Sequence, residues 1–219
     1  MKIPSGTDVI DKLLNGGYDK GIITTIYGPA GSGKTTLCLL ASIKVAENRK
    51  VIYIDTEGGF SVERLKQLSD KDVMKSIFVL KPVNFEDQSK KISNLTNMIN
   101  DKIGLVVVDT ISMLYRVEIS RTKDPKPVYS EMDWQIGALS EIAKKNDIPV
   151  IVTNQVYSDF DDPSQVKMIG GDMLKYASKC LIELSKYKTY RKALIRKHRS
   201  IPENKEILFE IKERGLEER

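Results

Sequence analysis

Apolar positions along this chain come in short unbroken runs, separated by amphipathic stretches of helical length. The runs IITTIY (22–27), VIYID (51–55), IFVL (77–80), GLVVVD (104–109) and PVIVTN (149–154) are rich in β-branched residues. Continuous hydrophobicity of that kind suits strands buried on both faces, as in a parallel sheet. Residues 34–48, 85–100 and 133–146 lie between these runs and carry apolar side chains at helical spacing. Alternation of strand and helix needs crossover connections, so the pattern predicts an α/β fold, a mainly parallel sheet covered by helices on both faces. After Gly170-Gly171 the rhythm changes. KCLIELSK (179–186), YRKALIRK (190–197) and EILFEIKE (206–213) are strand-like runs joined by short polar stretches. They predict a C-terminal antiparallel β-meander that extends the sheet. Loops are expected at 120–131, which holds Pro125 and Pro127, and at 157–168, which holds Asp161, Asp162 and Pro163. Nothing repetitive or linker-like interrupts the chain, and residues 1–219 read as one domain.

Composition narrows the class. At 219 residues, 41% of them hydrophobic, the chain can bury one sizeable core. No apolar run approaches the length of a membrane span, and the opening MKIPSGTDVI lacks the apolar centre of an export signal. Two cysteines, Cys38 and Cys180, and a single histidine, His198, give neither a disulfide framework nor a multi-histidine metal site. A reducing, cytoplasmic setting is expected. Charge says more. Of 35 basic residues, seven (Lys186, Lys188, Arg191, Lys192, Arg196, Lys197 and Arg199) fall between 184 and 202, where no acid occurs; the remainder holds 28 basic against 30 acidic residues. Such a local excess fits a phosphate-bearing partner, and it also fits a solvated hairpin edge whose lysines discourage strand pairing.

The clearest chemistry lies at GPAGSGKT, comprising Gly28, Pro29, Ala30, Gly31, Ser32, Gly33, Lys34 and Thr35. It follows a predicted strand and opens a predicted helix, the context in which a phosphate loop works. Glycines let successive backbone N–H groups turn inward at the positive end of the helix and form a nest for anionic oxygens. Lys34 would reach the β- and γ-phosphates, and the Thr35 hydroxyl would ligate Mg²⁺; Thr36 follows on the same turn. Asp109 closes an apolar strand, poorly placed for packing but well placed to hold a Mg²⁺ water. Hydrolysis also needs a base for the attacking water. Glu57, in YIDTEGGF just past the second strand, is favoured, with Asp55 as the competitor. Gln155, just past the strand ending at Asn154, has an amide able to sense a γ-phosphate.

Taken in order, PSGTDVIDKLLNGGYDKG, the phosphate loop, YIDTEGGFSVERL, LVVVDTISMLYR, IVTNQV and IGGDMLKYAS resemble the successive landmarks of the RecA-type recombinase core. The likeness spans about residues 3–216 and implies a RecA-like P-loop NTPase fold. It looks most like the archaeal paralogues that begin directly at this core, without the N-terminal helical DNA-binding domain of full-length recombinases. The resemblance implies ATP and Mg²⁺ as cofactors, Lys34, Glu57 and Gln155 as catalytic residues, and Thr35 and Asp109 as the metal side. It also assigns Arg64 to the adenine, a flat surface suited to a guanidinium.

Departures from the family pattern matter for function. No aromatic-x-x-alanine tether for filament assembly precedes the core. The second DNA loop of strand-exchange relatives is replaced by VYSDFDDPSQVKMI, in which Asp159, Asp161 and Asp162 oppose phosphate binding. The acid and proline that cap a neighbour's ATP give way to Lys197, His198 and Arg199. Three readings of the basic segment stay open: contact with DNA, contact with nucleotide across a subunit interface, or a solvated hairpin. DNA is favoured, held by Lys192, Arg196, Lys197, His198 and Arg199 with little sequence preference. The expected function is an ATP-binding accessory of DNA repair and recombination, a weak DNA-dependent ATPase that binds DNA and a full-length RecA-family recombinase, with homodimer formation left open. The alternatives are an active strand-exchange enzyme and a KaiC-like signalling ATPase that binds no DNA.

Overall fold

The computed structural model describes residues 1–158 and 166–219. In chain order the elements begin with β1 (Lys2–Ile3), α1 (Asp8–Leu13), β2 (Tyr18–Asp19), β3 (Ile23–Tyr27), α2 (Lys34–Ala46), β4 (Lys50–Asp55) and α3 (Val62–Leu68). There follow β5 (Ile77–Leu80), α4 (Phe85–Met98), β6 (Ile103–Asp109), α5 (Ser112–Arg121), α6 (Lys126–Asn146) and β7 (Val150–Asn154). The chain closes with β8 (Val156–Ser158), β9 (Val166–Met168), α7 (Gly171–Ala177), β10 (Cys180–Lys186), β11 (Arg191–His198), β12 (Glu206–Lys212) and β13 (Gly215–Glu218).

Among the described residues, nine strands form one sheet in the order β13-β12-β11-β10-β3-β7-β6-β4-β5. The six strands from β10 to β5 run parallel, and β11, β12 and β13 continue antiparallel. This is the α/β architecture, a mainly parallel sheet with a C-terminal antiparallel extension, that the hydrophobic pattern implied. Alternate side chains explain why the central strands are apolar throughout. On β6, Leu105 and Val107 join α1, α2 and α3 on one face, whereas Val106 and Val108 join α4 to α7 on the other. Each strand therefore packs two cores.

Two sequence expectations change. The stretch 120–131 is helical except for residues 122–125, because α5 continues to Arg121 and α6 starts at Lys126. Pro127 sits in the first turn of α6, where its missing N–H has no intrahelical acceptor to lose. Within 157–168 the flanks pair as the β8–β9 hairpin, whereas Asp159, Asp161 and Asp162 lie outside the described residues. The register also sets where the basic segment goes. Lys186 pairs with Arg191 beside the carboxyl end of β3, and Cys180 pairs with His198 at the opposite end. Six steps of about 3.3 Å along β10 separate those two ends by roughly 20 Å.

Candidate nucleotide site at the carboxyl ends of the strands

The loop 28–33 leaves β3 and enters α2 at the carboxyl edge of the parallel strands, where open α/β sheets bind ligands. Gly31 (φ 70°) and Gly33 (φ 107°) occupy left-handed conformations. A side chain at either would be strained. Gly33 precedes α2 with no side-chain cap, and the first turn of the helix contains no acid. Its leading amides and positive dipole end are left for an external anion. Ser32 is fully buried and its Oγ has no hydrogen-bond partner. A buried hydroxyl without a partner is costly, and an oxygen-rich ligand in the loop would satisfy it. Lys34 is also buried, donating from Nζ to the Gly28 carbonyl at 2.8 Å and the Pro29 carbonyl at 3.0 Å. Burial pushes its pKa down, and the carboxylates of Glu57 and Asp109 push back. Thr35 and Thr36 lie in the first turn of α2, and a Cβ built on Gly59 would stand 3.5 Å from the Thr35 hydroxyl. These features fit a nucleotide phosphate chain.

Asp109 ends β6 and is buried. Its Oδ2 accepts from the Tyr53 hydroxyl at 2.8 Å and its Oδ1 from the Thr153 hydroxyl. Those bonds orient the carboxylate and leave lone pairs for a Mg²⁺ water. Among the described residues no three acidic, cysteine or histidine side chains converge as a metal cage. That suits Mg²⁺, which usually keeps several waters and takes one or two carboxylates plus phosphate oxygens. Thr35 and Asp109 are the side chains that would hold it.

Asp55 and Glu57 differ in their hydrogen bonding. Asp55 is buried and accepts the Gly59 and Phe60 amides at 3.0 and 3.2 Å, so it shapes the loop after β4. Glu57 is exposed, and its Oε1 accepts from the Gln155 amide and, at 3.0 Å, from the Thr110 hydroxyl. The two residues chosen from sequence thus meet across the ends of β4 and β7. Thr110 went unnoticed in the sequence, although it directly follows the metal-side acid. It also exchanges bonds with Thr56, whose Oγ1 accepts the Thr110 amide at 2.9 Å and donates to the Thr110 carbonyl at 2.7 Å. Arg64 stands in the first turn of α3, where the Ser61 side chain caps its amide. Its guanidinium donates to the Lys212 and Glu213 carbonyls, both at 2.8 Å, and to Gln67 at 3.0 Å. The edge of the guanidinium is thus held by the β12–β13 turn.

The Rad51 family model matches residues 1–219. The chain belongs to the Rad51 family. It is 39% identical to the DNA repair and recombination protein RadB of Methanobrevibacter smithii, over 98% of this chain and 95% of that one. It is 38% identical to RadB of Methanocaldococcus jannaschii, covering 95% and 99% of the two chains. A crystal structure of a RadB recombinase superposes with a TM-score of 0.83 at 36% identity, covering 98% of both chains. The RecA-type resemblance read from the sequence is thereby borne out.

The basic segment of this Rad51-family chain does not form one cluster. Acids absent from the segment itself arrive from other elements. Arg196 Nε bonds Glu183 at 2.7 Å, Lys192 pairs with Glu206 at 3.2 Å, and Arg199 Nε bonds Asp19 at 3.2 Å. Lys197 donates to the Lys175 carbonyl. His198 corrects the sequence expectation most sharply. Its side chain is 1% exposed, its Nε2 lies 3.3 Å from Asp19, and its Nδ1 accepts the Ser200 amide at 3.1 Å. Burial, with lesser help from Lys2 and Arg199, lowers its pKa against the pull of Asp19. An imidazole this enclosed offers a phosphate little surface. Arg196 and Arg199 remain half exposed despite their partners.

Proposed function

We propose that this chain is an ATP-binding accessory of DNA repair and recombination that also binds DNA and a full-length RecA-family recombinase. The observation that carries the reading is the single edge at which the glycine loop, Lys34, Thr35, Asp109, Glu57 and Gln155 converge, with a buried Ser32 hydroxyl left unpartnered inside the loop. When bound, Mg²⁺ would draw charge from the phosphate oxygens beside Thr35 and Asp109. Lys34, released from the Gly28 and Pro29 carbonyls, would pair with the phosphate chain. Arg64 would lie on the base. Glu57 is the acceptor for the proton of an attacking water, and Gln155 reports the state of that carboxylate to the β8–β9 segment.

Hydrolysis should be weak. Glu57 already accepts two hydrogen bonds that must loosen before it can align a water. DNA binding is carried by Lys197, Arg196 and Arg199 at the far end of β11, with Lys192 nearer the nucleotide end; the names of the RadB relatives support a role on DNA. Three phosphate contacts would give a log–log salt slope of about −2 to −3. Calorimetry with Mg·ATP, followed by DNA shift assays at graded salt with and without a recombinase, tests the reading. No heat with Mg·ATP rejects the nucleotide role, and many turnovers per second by the isolated chain reject the slow switch.

A further inference from the structure

The β10–β11 hairpin does more than extend the sheet. Its tip rests on the phosphate loop, where Arg191 Nε donates to the Gly31 carbonyl at 3.0 Å. The same guanidinium holds the Tyr187 and Tyr190 carbonyls at 3.3 and 3.1 Å through its Nη1. The tip is itself braced. Tyr187 and Tyr190 stack with ring centroids 4.5 Å apart, the Tyr187 amide bonds the Tyr190 carbonyl, and the Arg219 guanidinium lies 4.7 Å from the Tyr190 ring centre. Lys186, opposite Arg191 in register, reaches the same place: a Cβ built on Gly31 would stand 3.1 Å from its ammonium.

Arg191 controls a peptide plane that the site needs. Among the described residues the cis peptide is at Asp109–Thr110, so Gly31–Ser32 is trans and its C=O and N–H point in opposite directions. With the carbonyl turned out to Arg191, the Ser32 amide turns into the loop, where it donates to the Pro29 carbonyl at 3.2 Å. That carbonyl also accepts Lys34. The left-handed Gly31 has little stiffness of its own. Resting on the nucleotide reading above, we infer that Arg191 is a positioning residue for phosphate binding in cis: it fixes the Gly31–Ser32 peptide so that the Ser32 amide stays inside the loop, ready to pass from the Pro29 carbonyl to the anion, with Lys186 adding positive potential at the rim. Its Nε and Nη1 are committed to backbone carbonyls, whereas a charge-stabilising arginine finger acts on the phosphate itself.

The test is calorimetry of the full chain with Mg·ATP, Mg·ADP and adenosine, using the wild type, Arg191→Ala, Arg191→Lys and Lys186→Gln. Arg191→Ala should weaken ATP and ADP alike by about 10-fold, the scale of one charged hydrogen bond, and leave adenosine affinity unchanged. Arg191→Lys should recover part of the loss, and Lys186→Gln should cost about 3-fold. Hydrogen exchange at the Ser32 amide should quicken in Arg191→Ala, a local reading that holds even if the melting temperature also drops. Equal ATP affinity in Arg191→Ala and the wild type overturns the inference and leaves the nucleotide reading standing. A parallel loss of adenosine affinity also overturns it, because the residue would then be structural. A wild type that binds no nucleotide sinks both.

Discussion

The two ends of the parallel sheet treat polar groups in opposite ways. At the carboxyl ends of β3, β4, β6 and β7, the Ser32 hydroxyl has no partner, Lys34 is bound to backbone carbonyls, and the first turn of α2 lacks an acid. At the other end His198, Asp19 and Arg199 satisfy one another, and Lys197 is tied to α7 through a carbonyl. Both ends are positive in sequence. Buried hydroxyls lack partners at both, Ser32 in the loop and Tyr18 beside Asp19, but the Ser32 hydroxyl stands beside helix-start amides and a buried lysine, the combination that suits an anion. Cations already answered by acids stabilise the fold, and their attraction for a phosphate is what remains after that pairing.

The largest effect that would sharpen this contrast is expected at Glu57. Replacing it with glutamine should cut ATP turnover by about 100-fold or more, in the range of a lost general base, while calorimetric affinity for Mg·ATP stays within a few-fold. Turnover that survives the change would move the base elsewhere. Lys34→Ala comes next, with about 100-fold weaker Mg·ATP binding expected from losing a buried charge-assisted contact. At the far end the effects shrink. Lys197→Ala with Arg199→Ala should lower DNA affinity by about 10-fold and flatten the salt slope by between one and two, each phosphate contact counting for about 0.9. His198→Gln should leave DNA binding unchanged; a loss equal to that of the double variant would break the contrast.

The smallest effect concerns acid stability. Burial keeps the His198 imidazole below its ordinary pKa of 6.5. Below that value the unfolded chain takes up the proton while the folded chain resists it. The contribution is therefore complete above about pH 6.5 and is lost as the pH falls through the lower folded value. Melting temperatures recorded from pH 7.5 to 5 should decline, and the decline should be shallower in His198→Gln. Identical pH profiles would show that His198 is not the group responsible.

Much of the core was legible because its signals are local. The strand boundaries read from VIYID, IFVL and GLVVVD fall within one residue of β4, β5 and β6, since branched apolar runs buried on two faces have no competing pattern. The glycine loop was legible for the same reason: its conformation and its helix lie within a dozen residues. Gly215–Glu218 was missed as a strand because two of its four residues are exposed acids and its pairing with β12 is set by the turn. The helical content of 112–131 was obscured by two prolines, which read as breakers until a helix start is placed at one of them.

By itself the sequence determined the alternation that makes the sheet, the glycine loop that opens α2, and the acids at the strand ends. It could not say that Glu57 would accept from both Thr110 and Gln155, that Asp19 would pair with His198, or that Arg191 would take hold of Gly31 from 160 residues away. Backbone pattern is written in neighbouring positions, because φ, ψ and burial are chosen locally and repeat along an element. Charge pairing and the aim of a side chain depend on which strands lie side by side, and that is settled only when the chain closes on itself.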